Sequence, residues 1–161
     1  MLSRLSALAC CFGVVLTASG CAGTDDSVPP AIRLGRDECA ECGMLINEDR
    51  FSTAAQVMLD GRKAWLLFDD IGDMLDHERD QGYPVVSRFV HDHETRRWQA
   101  ATGATFVYAE SVRTPMGSGL AAFADYDRAA KRAAEWKGRT MSYDEVVAFR
   151  IKYMQDRYGG E

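Results

Sequence analysis

Cys39, Cys42 and Met44 fall within the six residues "CAECGM", and what they share is sulfur. A Cys-x-x-Cys pair serves thiol–disulfide exchange, half of a structural zinc site, or soft-metal binding. Exchange wants a thiolate, ordinarily activated at a helix N-terminus. Here Gly43 and "MLINEDRF" lead instead through a turn towards a strand. Structural zinc wants four ligands, commonly two such pairs. No second pair follows, and His77, His91 and His93 lie far along the chain. Thiolate and thioether together favour Cu(I), which binds two or three soft donors and needs no carboxylate. In extended backbone Cys42 and Met44 leave the same face, so a chelate is geometrically open to them.

A further thioether stands out in "RTPMGSGL", where Pro115 fixes the backbone before Met116, and Gly117 and Gly119 allow a bend that presents it from a loop. The other methionines read as packing or surface residues. His91 and His93 alternate in "FVHDHETRRW" and read as solvated residues at a strand exit, with a minor claim on a metal; His77 reads as an exposed helix residue. No nucleophile has an evident base, so catalysis finds no footing.

The N-terminus sets the compartment. Arg4, the apolar run "LSALACCFGVVL" and the small residues Ala18, Ser19 and Gly20 before Cys21 read as a secretory signal peptide over 1–20 with a lipobox. Lipidation of Cys21 and cleavage before it would remove Cys10 and Cys11, leaving Cys39 and Cys42 for chemistry. Cleavage also takes one basic residue and no acidic one from a chain of net charge −5, so nucleic acid is excluded as a natural partner. Attachment would come through the lipid, and Ala22, where an aspartate would favour inner-membrane retention, points to the outer membrane. Residues 21–37, broken by Pro29 and Pro30, read as a tether.

The elements that must hold the sulfurs follow from pattern. "FSTAAQVML" and "KAWLLF" flank Asp60-Gly61, a hairpin signal. Asp69 or Asp70 caps a helix over "IGDMLDHERDQG" with Gly82 at its end, and "YPVVSRFV" reads as a strand. The order then repeats: "RRWQAA" and "ATFVYAES" as strands, a helix over "DYDRAAKRAAEWKG", and "GRTMSY" as a closing strand. Setting Phe68 on Phe123 sets Asp70 on Asp125. The expectation is an α+β fold of two ββαβ modules in tandem, 38–94 and 95–161, with an amphipathic helix over 144–158 at the C-terminus.

Taken in order, the lipobox cysteine, "CAECGM", "FDDIGDM", "ETRRWQAATGATFVYAES" and "TPMGSGLAAFAD" resemble the NosL family of nitrous oxide reductase accessory lipoproteins, over nearly the whole mature chain. The resemblance implies a non-enzymatic, membrane-anchored periplasmic carrier of Cu(I) that supplies copper for maturation of nitrous oxide reductase, working with an ABC-type assembly complex. It implies a fold of two ββαβ modules and copper ligands at Cys42, Met44 and Met116, with Cys39 in the same motif. His93 departs from the aromatic residue expected there. The runners-up are a Cys-x-x-Cys thiol–disulfide reductase assisting copper-site assembly and a small structural zinc protein.

Overall fold

The computed structural model describes residues 27–159; the expected signal peptide and the expected lipidation site at Cys21 lie outside them. Strands β1 (Thr53–Leu59) and β2 (Arg62–Phe68) form the hairpin expected at Asp60-Gly61. Both turn residues have positive φ, 50° and 75°, the backbone that matches the right-handed twist of a two-residue hairpin. Helix α1 (Ile71–Gln81) follows, capped by the Asp70 carboxylate on the Gly72 N–H and closed by Gly82 at φ 66°. Strand β3 (Val85–His91) then pairs antiparallel with β1.

Strand β4 (Trp98–Ala100) corrects the sequence reading of "RRWQAA". It pairs with β3 and completes the first sheet, of order β2-β1-β3-β4, rather than opening the second unit. The second hairpin is β5 (Thr105–Tyr108) with β6 (Leu120–Phe123), the latter formed by the apolar run "LAAF". Helix α2 (Tyr126–Trp136), capped by Asp125, leads to β7 (Arg139–Met141), which pairs with β5. The second sheet therefore has the order β6-β5-β7, the same arrangement as β2-β1-β3. The repeat is one of structure: α1 and α2 are both 11 residues long, start from matched aspartate caps, and end on left-handed residues, Gly82 and Lys137. Helix α3 (Tyr143–Tyr158), opened by a Ser142/Glu145 capping box, ends the fold.

The halves share a core. Phe68, Ile71, Met74 and Val90 of the first pack with Phe106, Leu120, Met141 and Val146 of the second. A smaller cluster of Phe51, Val107, Ala121, Phe123, Ala129 and Ala133 lies under α2. The exit of β3 stitches the sheets together, because Asp92 bridges Ala122 and its carboxylate accepts the Ala124 N–H. Packing also reaches back before Cys39: Ile32 lies against the core and the Gly35 N–H bonds the Ile46 carbonyl.

Candidate metal centre

The segment carrying Cys39 and Cys42 is a tight knuckle. The Cys39 N–H donates to the Met44 carbonyl at 2.8 Å, the Gly43 N–H to the Cys39 carbonyl at 2.9 Å, and the Ala40 N–H to the Leu67 carbonyl at 2.8 Å. Gly43 sits at φ 72°, a conformation that a side chain would strain. The knuckle is thus pinned to the end of β2, where the chain turns into α1. Its tip is held as well, by Glu41 on His77 Nδ1 at 2.6 Å. His77 is not the exposed residue expected, since its ring packs between Phe68 and Tyr83.

This docking brings the two thiols to the first turn of α1. Ligand atoms of Cys39, Cys42, Asp69 and Asp73 all lie within 4.8 Å of one another. Cys39 is only 2% exposed, and its thiol donates to Asp73 Oδ2 at 3.4 Å. Burial pushes the Cys39 thiol well up, so it holds its proton. Burial, with the negative neighbours Asp70 and Asp69, pushes the Asp73 carboxyl up to about 7. Cys42 is half-buried. The motif thus has an inner sulfur and an outer one.

Met44 and Met116 stand on the rim. They are 49% and 41% exposed, unlike Met74 and Met141, which the core takes. A groove lined by Met44, Leu45, Asp69, Arg113 and Pro115 runs from the knuckle to the loop that carries Met116. Asp70 fixes that loop: its Oδ2 accepts from Thr114 Oγ1 at 2.6 Å and from the Met116 N–H at 3.0 Å, while its Oδ1 caps α1. One buried carboxylate therefore joins the second unit's methionine loop to the helix beneath the cysteines. Gly72 makes the approach feasible, because a Cβ there would lie 2.6 Å from that of Ser118.

The other sequence candidates fall elsewhere. His91 is buried, stacked on Trp98 with ring centroids 3.5 Å apart, its Nδ1 on Ser52. His93 sits among Phe51, Phe123 and Trp136, the setting of an aromatic side chain, and burial holds it down at about 4. His91 is buried and His93 half-buried, and neither joins the cysteine cluster. Sequence reasoning missed Asp69 and Asp73 as part of the site. Their spacing in "DDIGD" was a signal, but acidic residues at a helix start read first as caps.

A model of the NosL family matches residues 32–149, a span that takes in the knuckle, the aspartates and the Met116 loop. The chain belongs to the NosL family. The crystal structure of the copper chaperone NosL from Shewanella denitrificans aligns with a TM-score of 0.64 at 23% identity, over 73% of this chain and 94% of that one. The two share a fold. No curated protein matches the chain. Among the described residues no helix is long and apolar enough to cross a membrane.

Proposed function

We propose that this NosL-family protein is a copper chaperone: it holds Cu(I) through Cys42, Met44 and Met116, with Cys39 behind them, and delivers it for maturation of nitrous oxide reductase. The observation that carries the reading is the exposure of two thioethers, one in the knuckle that carries the half-buried Cys42 and one on the loop that Asp70 ties to the helix beneath it. Such donors suit a monovalent soft cation. Cys42 as thiolate supplies the charge, and the thioethers supply neutral donors that exchange readily. Because Met116 sits on a loop open to solvent, its departure frees a coordination position for an incoming ligand. Cargo can then pass to an ABC-type assembly complex without being released into water.

The chemistry is transfer rather than turnover. A thiol–disulfide reductase needs an exposed thiol of low pKa, and the buried Cys39, its thiol pushed up, is the opposite. In this reading the protein works in the periplasm, tethered through a lipid on Cys21, at the outer membrane. Cys21→Ser should move it to the soluble periplasmic fraction or block its processing.

The deciding experiment is anaerobic titration of the reduced protein with Cu(I) against a competing Cu(I) chelator, in parallel with a disulfide-turnover assay. One equivalent bound tightly, with no turnover, is expected. Catalytic disulfide exchange without Cu(I) binding would make the protein a reductase.

A further inference from the structure

We propose that Cys39, Cys42, Asp69 and Asp73 form a second metal site, which takes a divalent cation of borderline hardness such as Zn2+ and shares Cys42 with the Cu(I) donors. The proposal deepens the copper reading only in that sharing; the site itself rests on other residues.

Geometry comes first. The four ligand atoms lie within 4.8 Å of one another before any ion draws them in. A tetrahedral shell with metal–sulfur bonds of about 2.3 Å and metal–oxygen bonds of about 2.0 Å has donor–donor edges of about 3.3–3.8 Å. Closing the shell therefore asks for shifts of about an ångström, within reach of the half-buried Cys42 side chain.

An independent observation points to a cation. Asp69 is 3% exposed, and its Oδ1 is buried without a hydrogen-bond partner among the described residues. A carboxylate oxygen taken out of water and left unpaired is costly. Neither Asp69 nor Asp73 forms an ion pair among the described residues, although Arg113 lines the adjoining groove. Three acidic side chains, Asp69, Asp70 and Asp73, thus crowd one buried turn. Asp70 spends its charge on three hydrogen bonds, to Gly72, Thr114 and Met116, whereas Asp73 has the weak Cys39 thiol at 3.4 Å and Asp69 Oδ1 has no partner among the described residues.

Chemistry separates the two donor sets. Two thiolates with two carboxylates suit Zn2+, which accepts sulfur and oxygen in a closed tetrahedron. Cu(I) gains little from carboxylates and is served by the outer sulfurs. Binding is a proton exchange without redox change: the divalent ion forms two metal–sulfur and two metal–oxygen bonds, and the Cys39 and Cys42 thiol protons, with any proton on Asp73, pass to solvent. Since Cys42 is common to both sets, the two ions exclude each other.

Co2+ is the probe, titrated anaerobically into the reduced, metal-free full chain. We expect one equivalent to give thiolate-to-cobalt charge transfer in the near ultraviolet and tetrahedral d–d bands in the visible, both erased by Zn2+. Asp69→Asn, Asp73→Asn and Cys39→Ser should each weaken Co2+ by about tenfold or more, and Asp69→Asn and Asp73→Asn should weaken Co2+ about tenfold more than they weaken Cu(I). Met44→Leu and Met116→Leu should do the reverse. Should Asp69→Asn fail to fold by circular dichroism, Asp73→Asn carries the same comparison. Absent charge transfer at one equivalent, or cobalt affinity unchanged in both aspartate variants, overturns the site. Copper binding insensitive to Met44 and Met116 with the cobalt pattern intact would overturn the copper reading instead and leave this one standing.

Discussion

Asp70 Oδ2 accepts the backbone N–H of Met116 at 3.0 Å, across 46 positions of sequence and from one ββαβ unit to the other. The same oxygen takes the Thr114 hydroxyl at 2.6 Å, so the loop is gripped at two points. Asparagine at this position keeps one acceptor oxygen. If that oxygen caps Gly72, the amide group must face two donors with donors of its own. Asp70→Asn should therefore free the Met116 loop and lower Cu(I) affinity about tenfold, the order of a lost supporting partner. The effect should vanish in a Met116→Leu background, as a double-mutant cycle would reveal. Additive losses would mean that Asp70 acts on the fold and not through Met116.

The sulfur ligands should divide the work unequally. Cys42→Ser removes the thiolate from the proposed Cu(I) donors and should cost about a hundredfold or more in Cu(I) affinity. Met44→Leu and Met116→Leu keep size and apolarity, so each should fold normally and lose less, about tenfold. Cys39→Ser lies between no effect and a large one, according to whether the buried thiol reaches the ion. X-ray absorption of the Cu(I) form should show sulfur neighbours, with one fewer in Met116→Leu. A shell of nitrogen and oxygen alone would remove the assignment.

Much of this was legible in local chemistry. Asp60-Gly61 announced its hairpin, and Asp70 and Asp125 announced their helices, because turn and cap preferences act over a few residues. The match of Phe68 to Phe123 held for the same reason, each ending a strand two residues before a capping aspartate. Sheet membership was not legible. Trp98–Ala100 is three residues long, and its apolar pattern fits either sheet; only tertiary pairing puts it beside β3. "LAAF", buried throughout, carries no alternation and hid behind the glycines that precede it. In the candidate cluster, Cys39 and Cys42 were legible through residue type and spacing, whereas Asp69 and Asp73 were masked by the ordinary use of acids at helix starts. Their burial with the cysteines depends on the knuckle docking through Ala40 onto Leu67, a long-range contact that spacing does not encode.

Asp73 gives the metal-free protein a pH dependence of definite sign. Its carboxyl keeps its proton up to about 7 in the fold and releases it near the ordinary value of about 4 when unfolded. Between those limits the folded chain binds more protons, so stability falls as pH rises through this window. Asp73→Asn retains an acceptor for the Cys39 thiol and removes the buried charge. It should flatten the slope between about pH 4 and 7 and stabilise the metal-free protein at pH 8 by on the order of 2 kcal/mol. Urea denaturation at several pH values measures both. Equal slopes in the two proteins would place the proton elsewhere.

Gly72 tests whether close packing of the two units governs the loop. It lies in the first turn of α1, and an added Cβ would meet the Ser118 Cβ at 2.6 Å and the Arg150 Cζ at 3.1 Å. The guanidinium end of Arg150 could swing aside only by loosening its bidentate grip on Asp76. Ser118 has less room still, being buried with its hydroxyl on the Leu120 N–H at the start of β6. Helix propensity alone would make Gly72→Ala stabilising by about 1 kcal/mol, so a loss can only come from the clash. We expect a net destabilisation of about 1–3 kcal/mol, the usual cost of overpacking. Because the displaced segment is the loop carrying Met116, Cu(I) affinity should fall along with stability. Gly72→Ala with raised stability and unchanged copper binding would mean that the units slide past each other freely, and that the Met116 loop is held by Asp70 alone.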